Sequence, residues 1–515
     1  MANNVFSVAL LYMYEGQDEL PEPCPDYSSY AYSKHAPYSK GKYELSYMRP
    51  RPACRTFNLS EVEDTIQGMK ASIRDPDLFR LFENCFPNTL DTAITWKGFS
   101  NETGAEEEEL TFITTGDINA MWLRDSANQL QSYKSLLRPN ASSVSLASLF
   151  RGAINLQARY IMAAPHCNAF NAPIESGLAA AYPFGGGADS FSPSVNTAFV
   201  FECKYELDSL AAFLQLSHEY WAATRDARFF AKSQWMAAVT MLLNTTYELL
   251  GGTYSPEGNV LYSPYTFQRT TSTSSETLAN SGTGSPVKGG TGMVRSAFRP
   301  SDDACVFQLF VPANMMFSRY LGLCADIMER IDVGLAAEMR VFADSIRAGI
   351  ERHGRVHHPQ FGKIYAYEVD GFGGHYTMDD ANIPSLLSAA MFGYVDRDDE
   401  IYQNTRRFVL STDNPYYAYG PVINSTGGAH LGPGLGWPMA LVVQILTSDN
   451  DTEIVDSLRQ ILSSTDGYGL IHESISSQSA SIWTRQWFSW ANGLFGQMIL
   501  DIRERKPYIL AMSFQ

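Results

Sequence analysis

The chain turns periodic at Ser60. In SEVEDTIQGMKASI, Val62, Ile66, Met69 and Ile73 fall on one helical face, and Ser60 precedes Glu63 by the three residues of a capping box. DPDLFRLFENCF follows as a second helix with Asp75 as its cap. The same period predicts helices near 122–138, 144–163, 203–222, 227–248, 304–320 and 323–350, then near 382–393, 398–410, 435–448, 452–462 and 486–503. Alternating patterns are few and short, LTFITT (110–115) and KIYAYEV (363–369) being the best. About thirteen helices with little strand predict an all-α fold of stacked hairpins. No consensus repeats along the chain, which argues against an open solenoid. Six hairpins closed into an (α/α) barrel would use about twelve helices, close to the number predicted.

Between the helices run long loops rich in glycine and aromatic residues: AYPFGGGADSF (181–191), YEVDGFGGHYTMDDANIP (367–384) and INSTGGAHLGPGLGWP (423–438). Such loops on a helical scaffold read as the walls of a pocket. GAEEEEL (104–110) reads as a charged surface tip, and residues 270–292 as a low-complexity loop, mobile unless the barrel mouth orders it. Residues 18–55, rich in Pro, Tyr, Ser and Lys, show no period and read as an extended arm with RPRP (49–52) as its hinge. The organisation expected is therefore an arm over 1–55 packed on a catalytic barrel over 56–515.

Composition narrows the partner. Apolar residues make up 45% of the 515, with 28 Tyr, 29 Phe and 8 Trp, enough for a core and for rings lining a cleft. Acids exceed bases by 55 to 38, so no basic stripe marks a nucleic-acid partner. No apolar run is long enough to span a membrane. The expectation is a monomer acting on a neutral carbohydrate. MANNVFSVALLYMYEGQ is a poor signal peptide. Sequons at Asn58, Asn101, Asn140, Asn244, Asn424 and Asn450 tilt towards a secreted glycoprotein, with an intracellular location left open. Seven cysteines are too few for a disulfide scaffold. Cys24 and Cys54 flank the arm and are candidates to staple it, whereas Cys203 and Cys305, in apolar surroundings, read as buried thiols.

Four segments are candidates for chemistry. In TGDINAMWLRDSANQ (115–129), Trp122 offers an apolar face, and Arg124 and Asp125 can grip vicinal hydroxyls; a structural salt bridge at a helix start competes. ECKYELDSL (202–210) groups Glu202, Glu206 and Asp208 at the opening of an apolar helix. A carboxyl there, shielded beside Tyr205, would hold its proton as a general acid must; an acidic first turn on the helix dipole competes. In DGYGLIHESIS (466–476), Glu473 stands among polar neighbours before the aromatic WTRQWFSWANGLF, which suits an ionised carboxylate that activates water. GGHYTMDDANIPSLL (373–387) sets Asp379 and Asp380 side by side before a helix, to bind a cation, cap the helix or hold hydroxyls. There is no EF-hand, HExxH, phosphate loop or GxSxG elbow, so metal and nucleophilic-serine chemistry are not expected, nor is a cofactor.

Taken together, RTFNLSEVE, DPDLFRLFENCFPNTLDTAI, TFITTGDINAMWLRDSANQ, KYELDSL, GMVRSAFRPSDDA, YTMDDANIPSLL, GPGLGWPMA and GYGLIHES resemble glycoside hydrolase family 125, the metal-independent exo-α-mannosidases, in a fungal form. The resemblance implies an (α/α)6 barrel that removes non-reducing terminal α-1,6-mannose with inversion, without a metal. It makes Asp208 the general acid and Glu473 the general base. It places Arg124 and Asp125 in the sugar-gripping segment and Asp379, Asp380 and Trp437 at the same mouth. An inverting pair should stand about 6.5–9.5 Å apart. Rival readings are a lyase or a glycosidase of other linkage on the same barrel, or a catalytically silent carbohydrate-binding protein.

Overall fold

The computed structural model describes residues 23–102, 107–181, 189–196, 198–232 and 234–515. The N-terminal segment MANNVFSVALLYMYEGQ, residues 104–106 of the 104–110 tip and the centre of the 181–191 loop lie outside them. After α1 (Ser60–Ser72), twelve elements alternate between two concentric layers. The outer ones are α2 (Pro76–Cys85), α4 (Leu146–Ala163), α6 (Trp235–Glu248), α8 (Val333–His353), α9 (Glu400–Val409) and α11 (Asp451–Ser463). The inner ones are α3 (Leu123–Gln131), α5 (Leu207–Thr224), α7 (Val311–Met328), the 3₁₀ turn Leu387–Ala390, α10 (Pro438–Leu446) and α12 (Ser489–Arg505). Each inner element packs on the next in that order, and α12 closes the ring against α3. This is the (α/α)6 barrel that the sequence predicts.

The two layers begin differently. Five outer helices carry side-chain caps: Asp75, Ser145, Asp332, Asp399 and Asn450 each accept from backbone N–H groups of the first turn. The five inner α-helices follow Trp122, Glu206, Phe310, Trp437 and Phe488, none of which caps through its side chain. Short strands deliver the chain to these starts instead. Met121–Trp122, Ala169–Phe170 and Val200–Glu202 form one small sheet, Leu309–Phe310, Glu368–Val369 and His375–Tyr376 a second, and Leu435–Gly436, Ser474–Ser476 and Trp483–Thr484 a third. The inner helices thus present first-turn N–H groups, the positive ends of their dipoles, to one mouth.

Several expectations change. The helix expected at 382–393 is only the 3₁₀ turn Leu387–Ala390: Pro384 has no N–H to donate, Leu386 N and Leu387 N donate to Asp379, and the preceding segment runs as bends. The break placed near 321 falls at 329–332, and KIYAYEV divides into two strands, Gly362–Tyr365 and Glu368–Val369. Ser60 does not make the capping box: Leu59 is the N-cap, and Glu63 turns to Arg49 and Arg55. Cys203 is not a free thiol. Pairing of Val200–Glu202 with Ala169–Phe170 brings it to Cys167, and the two form a disulfide. Cys24 and Cys54 are also joined, and Cys305 is a buried thiol. The 270–292 loop is packed on the body, with Ala304 N donating to Ser275 O at 2.7 Å and Gln308 Nε2 to Thr283 O at 2.9 Å.

From residue 23 the arm lies on the barrel. Arg49, buried, pairs with Asp91 at 2.7 Å and with Glu63, and Asn84 Nδ2 donates to Ser46 O at 2.9 Å. Tyr27 meets Trp487 edge-on at 4.8 Å, just ahead of α12. Two glycines test the layer packing. A Cβ on Gly496 of α12 would stand 2.8 Å from Phe86 Cα, so Gly496→Ala should cost about 1–3 kcal/mol. Gly68, exposed in α1, has nothing within 4 Å, and Gly68→Ala should add about 0.5–1 kcal/mol. Urea unfolding of both variants measures this, and equal effects at the two positions would contradict the packing described.

Candidate active site

Arg124 and Asp125 sit in the first turn of α3, and Asp208 in the first turn of α5. All three are buried. The Arg124 guanidinium spreads over four carboxyl groups. Its Nη1 lies 2.6 Å from Glu206 Oε2 and 3.2 Å from Asp208 Oδ2, and its Nη2 lies 3.2 Å from Asp125 Oδ2 and 3.5 Å from Asp302 Oδ1. The contact with Asp125 is an ion contact rather than an aligned hydrogen bond. The Trp490 ring of α12 lies beneath the guanidinium, 5.7 Å away.

Burial raises the Asp208 carboxyl to about 6, against the pull of Arg124. Its Oδ1 has no hydrogen-bond partner among the described residues. A shielded carboxyl that keeps its proton up to about pH 6, with one oxygen uncommitted, can donate that proton to a leaving group. Burial also raises Glu206 well above the usual carboxylate range.

Glu473 is built differently. It lies beside the strand Ser474–Ser476, accepting from Thr484 Oγ1 at 2.9 Å and facing Arg485 Nη1 at 3.4 Å. Asp117 holds Arg485 from the other side, accepting from Nε at 2.9 Å, and Phe488 lies 4.6 Å under the guanidinium. His472, next in sequence, stacks on Trp483 at 4.3 Å, which fixes the strand that bears Glu473. A carboxylate oriented by a hydroxyl donor and a guanidinium is placed to take a proton from water. The two acids therefore hang on two different arginines, and Asp125 lies in the field of both.

The remaining predicted residues occupy the rim to different degrees. Trp122 meets Phe201 edge-on at 5.4 Å, in a small apolar cluster separate from the main core. Trp437, the residue before α10, meets Phe488 at 6.3 Å and is buried. Asp380 keeps Oδ2 without a partner among the described residues, while Oδ1 accepts from Asn382 N and Nδ2, both at 2.9 Å. Burial raises it to about 6. Asp379 takes the capping role that the sequence left open: its oxygens accept from Leu386 N at 2.8 Å and Leu387 N at 3.0 Å.

Five residues of the site were not singled out by the sequence. Asp302 and Asp303 stand back to back in a turn where Asp302 adopts φ 64°, one facing Arg124 and the other His430, whose Nδ1 lies 3.8 Å from Asp303 Oδ1. Asp303 lifts the half-exposed His430 imidazole to about 9 against its desolvation. Asn168 and Arg485 complete the set. Arg485 had a signal, a lone cation inside WTRQWF; His430 in its glycine loop and Asn168 beside Cys167 had none.

Two acids on separate arginines thus lie at one end of an (α/α)6 barrel, an arrangement able to support general acid–base chemistry. The chain belongs to glycoside hydrolase family 125, the metal-independent α-mannosidases, whose model matches residues 75–500. It is 46% identical over 490 residues to the meiotically up-regulated gene 157 protein of Schizosaccharomyces pombe, covering 95% of this chain and 94% of that one. It is also similar to the solved structure of a Streptococcus pneumoniae metal-independent α-mannosidase, in a non-productive complex with α-1,6-mannobiose. That match has 32% identity and a TM-score of 0.77, over 88% of this chain and 100% of that one. The protein is a glycoside hydrolase acting on α-mannosides. Among the described residues no helix is long and apolar enough to cross a membrane.

Arg124 is the junction of these contacts. Arg124→Met should lower stability by about 3–5 kcal/mol, because it leaves buried carboxyl groups without their cation. Arg340→Met, which removes an exposed pair with Asp326 and Glu329, should leave the urea midpoint unchanged. Similar losses from the two substitutions would show that the junction is not a structural element.

Proposed function

We propose that the protein removes single non-reducing terminal mannose residues joined by α-1,6 linkages, by one displacement that inverts the anomeric carbon. The observation that carries this reading is the unlike environments of Asp208 and Glu473. Asp208 is closed off from water, and burial holds its proton up to about pH 6. Glu473 accepts from Thr484 Oγ1 and faces the Arg485 guanidinium. The linkage is supported by the α-1,6-mannobiose held by the Streptococcus pneumoniae relative.

In the reaction, Arg124 and Asp125 hold the terminal sugar at the closed end of the mouth. Asp208 protonates the glycosidic oxygen as the bond from C1 breaks. Glu473 removes a proton from a water molecule that attacks the opposite face of C1. The products are β-mannose and the shortened glycan, and each acid ends in the other's protonation state until solvent resets them. Two disulfides and the sequons support a route through an oxidising compartment.

Incubation with α-1,6-, α-1,2- and α-1,3-mannobiose, followed by proton NMR, tests the reading. The 1,6 isomer should be cleaved fastest, with β-mannose appearing first and a chelator making no difference. First-formed α-mannose would show retention and overturn the mechanism. Asp208→Asn and Glu473→Gln should each lower kcat by about 10²–10⁴-fold with folding retained. The acid works only when protonated, so the alkaline limb of kcat/KM should fall as pH rises through about 6. Near-normal turnover in either folded variant would remove that residue from its role.

A further inference from the structure

Four carboxyl groups within 3.5 Å of the Arg124 guanidinium cannot all be ionised. One cation against four buried anions leaves charges uncompensated at a cost of several kcal/mol each, so the cluster must retain protons. Asp208 accounts for one. The neighbours show where another sits.

Asn168 Nδ2 lies 3.3 Å from Glu206 Oε1 and 3.2 Å from Asp302 Oδ1. One amide nitrogen therefore gathers these two carboxyl groups, while Arg124 gathers them from the other side. Glu206 is sealed in, with Ser209 Oγ donating to it at 3.1 Å. Asp302 is the carboxyl of the four with access to solvent, its side chain 22% exposed, and Lys204 Nζ donates to its own carbonyl at 2.8 Å. Ionisation is thus easiest at Asp302 and hardest at Glu206.

We propose that Glu206 and Asp302 share one proton, held on Glu206, and that this pair, by occupying Arg124, keeps Asp208 in its acid form. They are positioning residues: neither needs to touch the reacting atoms. The charge directions agree, since Arg124 and Lys204 outweigh desolvation to pull Asp302 down to about 2 while burial pushes Glu206 up. The other cations facing the cluster are Lys204, which also pairs with Glu202 at 3.5 Å, His430 at the mouth, and Arg485, which acts on Asp125. Tyr205, Tyr265 and Cys305 face it as neutral groups, each pushed up by burial.

The proposal rests on Asp208 as the acid, and its test separates the two claims. Asp302→Asn removes a negative charge that competes for Arg124 and raises Asp208, leaving more of the guanidinium's charge to Asp208, which it already contacts at 3.2 Å. The alkaline limb of the kcat/KM profile should then move down by about one to three pH units, with activity recovered in more acidic buffer. Glu206→Gln replaces a neutral acid by a neutral amide and should leave that limb within about half a unit of the parent. Loss of activity at every pH without displacement of the limb in D302N, or an equal displacement in E206Q, would overturn the proposal. Infrared spectra provide a readout that needs neither turnover nor a folded D302N. Above the pH where Asp208 titrates, the protonated-carboxyl band of the parent enzyme should diminish in E206Q. An unchanged band would show Glu206 ionised and reject the shared proton, whatever the role of Asp208.

Discussion

The structure depends on one asymmetry between its two layers: five of the six outer helices cap themselves, and the five inner α-helices do not. The residue before each inner α-helix leaves the first-turn N–H groups uncapped by its own side chain, at the same end of the barrel. Those ends carry partial positive charge, so the mouth is a place where several carboxyl groups can be gathered out of water. The short strands ahead of the helices serve the same arrangement, since they hold the chain extended until the helix begins. That is why Arg124, Asp208 and Trp490 all fall in a first turn, and why Trp437 and Phe488 stand immediately before one.

Helix ends alone cannot neutralise so many acids, and two arginines complete the balance. Arg124 serves the acid half of the site and Arg485 the base half. Their surroundings differ in the way the chemistry requires. Asp208 shares its cation with three other carboxyl groups and is sealed from solvent, whereas Glu473 shares Arg485 with Asp117 and has a hydroxyl donor besides. The same residue type is thereby set to opposite tasks by the number of competitors for a cation. The arm reinforces the base half: Tyr27 packs on Trp487, and Tyr32 lies 6.4 Å from Trp483, whose ring in turn covers His472.

Much of this was legible in the chain because apolar periodicity reports burial, and the inner and outer helices are buried on different arcs. Helix positions in α2, α4 and α11 follow from their caps and stripes. The segment at 382–393 misleads because its apolar residues are buried as an irregular turn, a case in which period and burial part company. Asp208 and Glu473 were legible only through the resemblance of their surrounding motifs, since local composition gave each an equally ordinary reading. Asp302, Asn168 and His430 were not legible at all. Their roles arise from contacts between segments more than a hundred residues apart in all three cases, and nothing local marks such a pairing.

The central claim is that Asp208 and Glu473 act on one anomeric carbon from opposite faces. A crystal structure of Asp208→Asn with uncleaved α-1,6-mannobiose tests it most directly. The account predicts the glycosidic oxygen within hydrogen-bonding distance of the substituted side chain and a water between C1 and Glu473. It also predicts a separation between the two side chains of about 6.5–9.5 Å. A separation near 5 Å with no room for that water, or a disaccharide bound away from both residues, would contradict it.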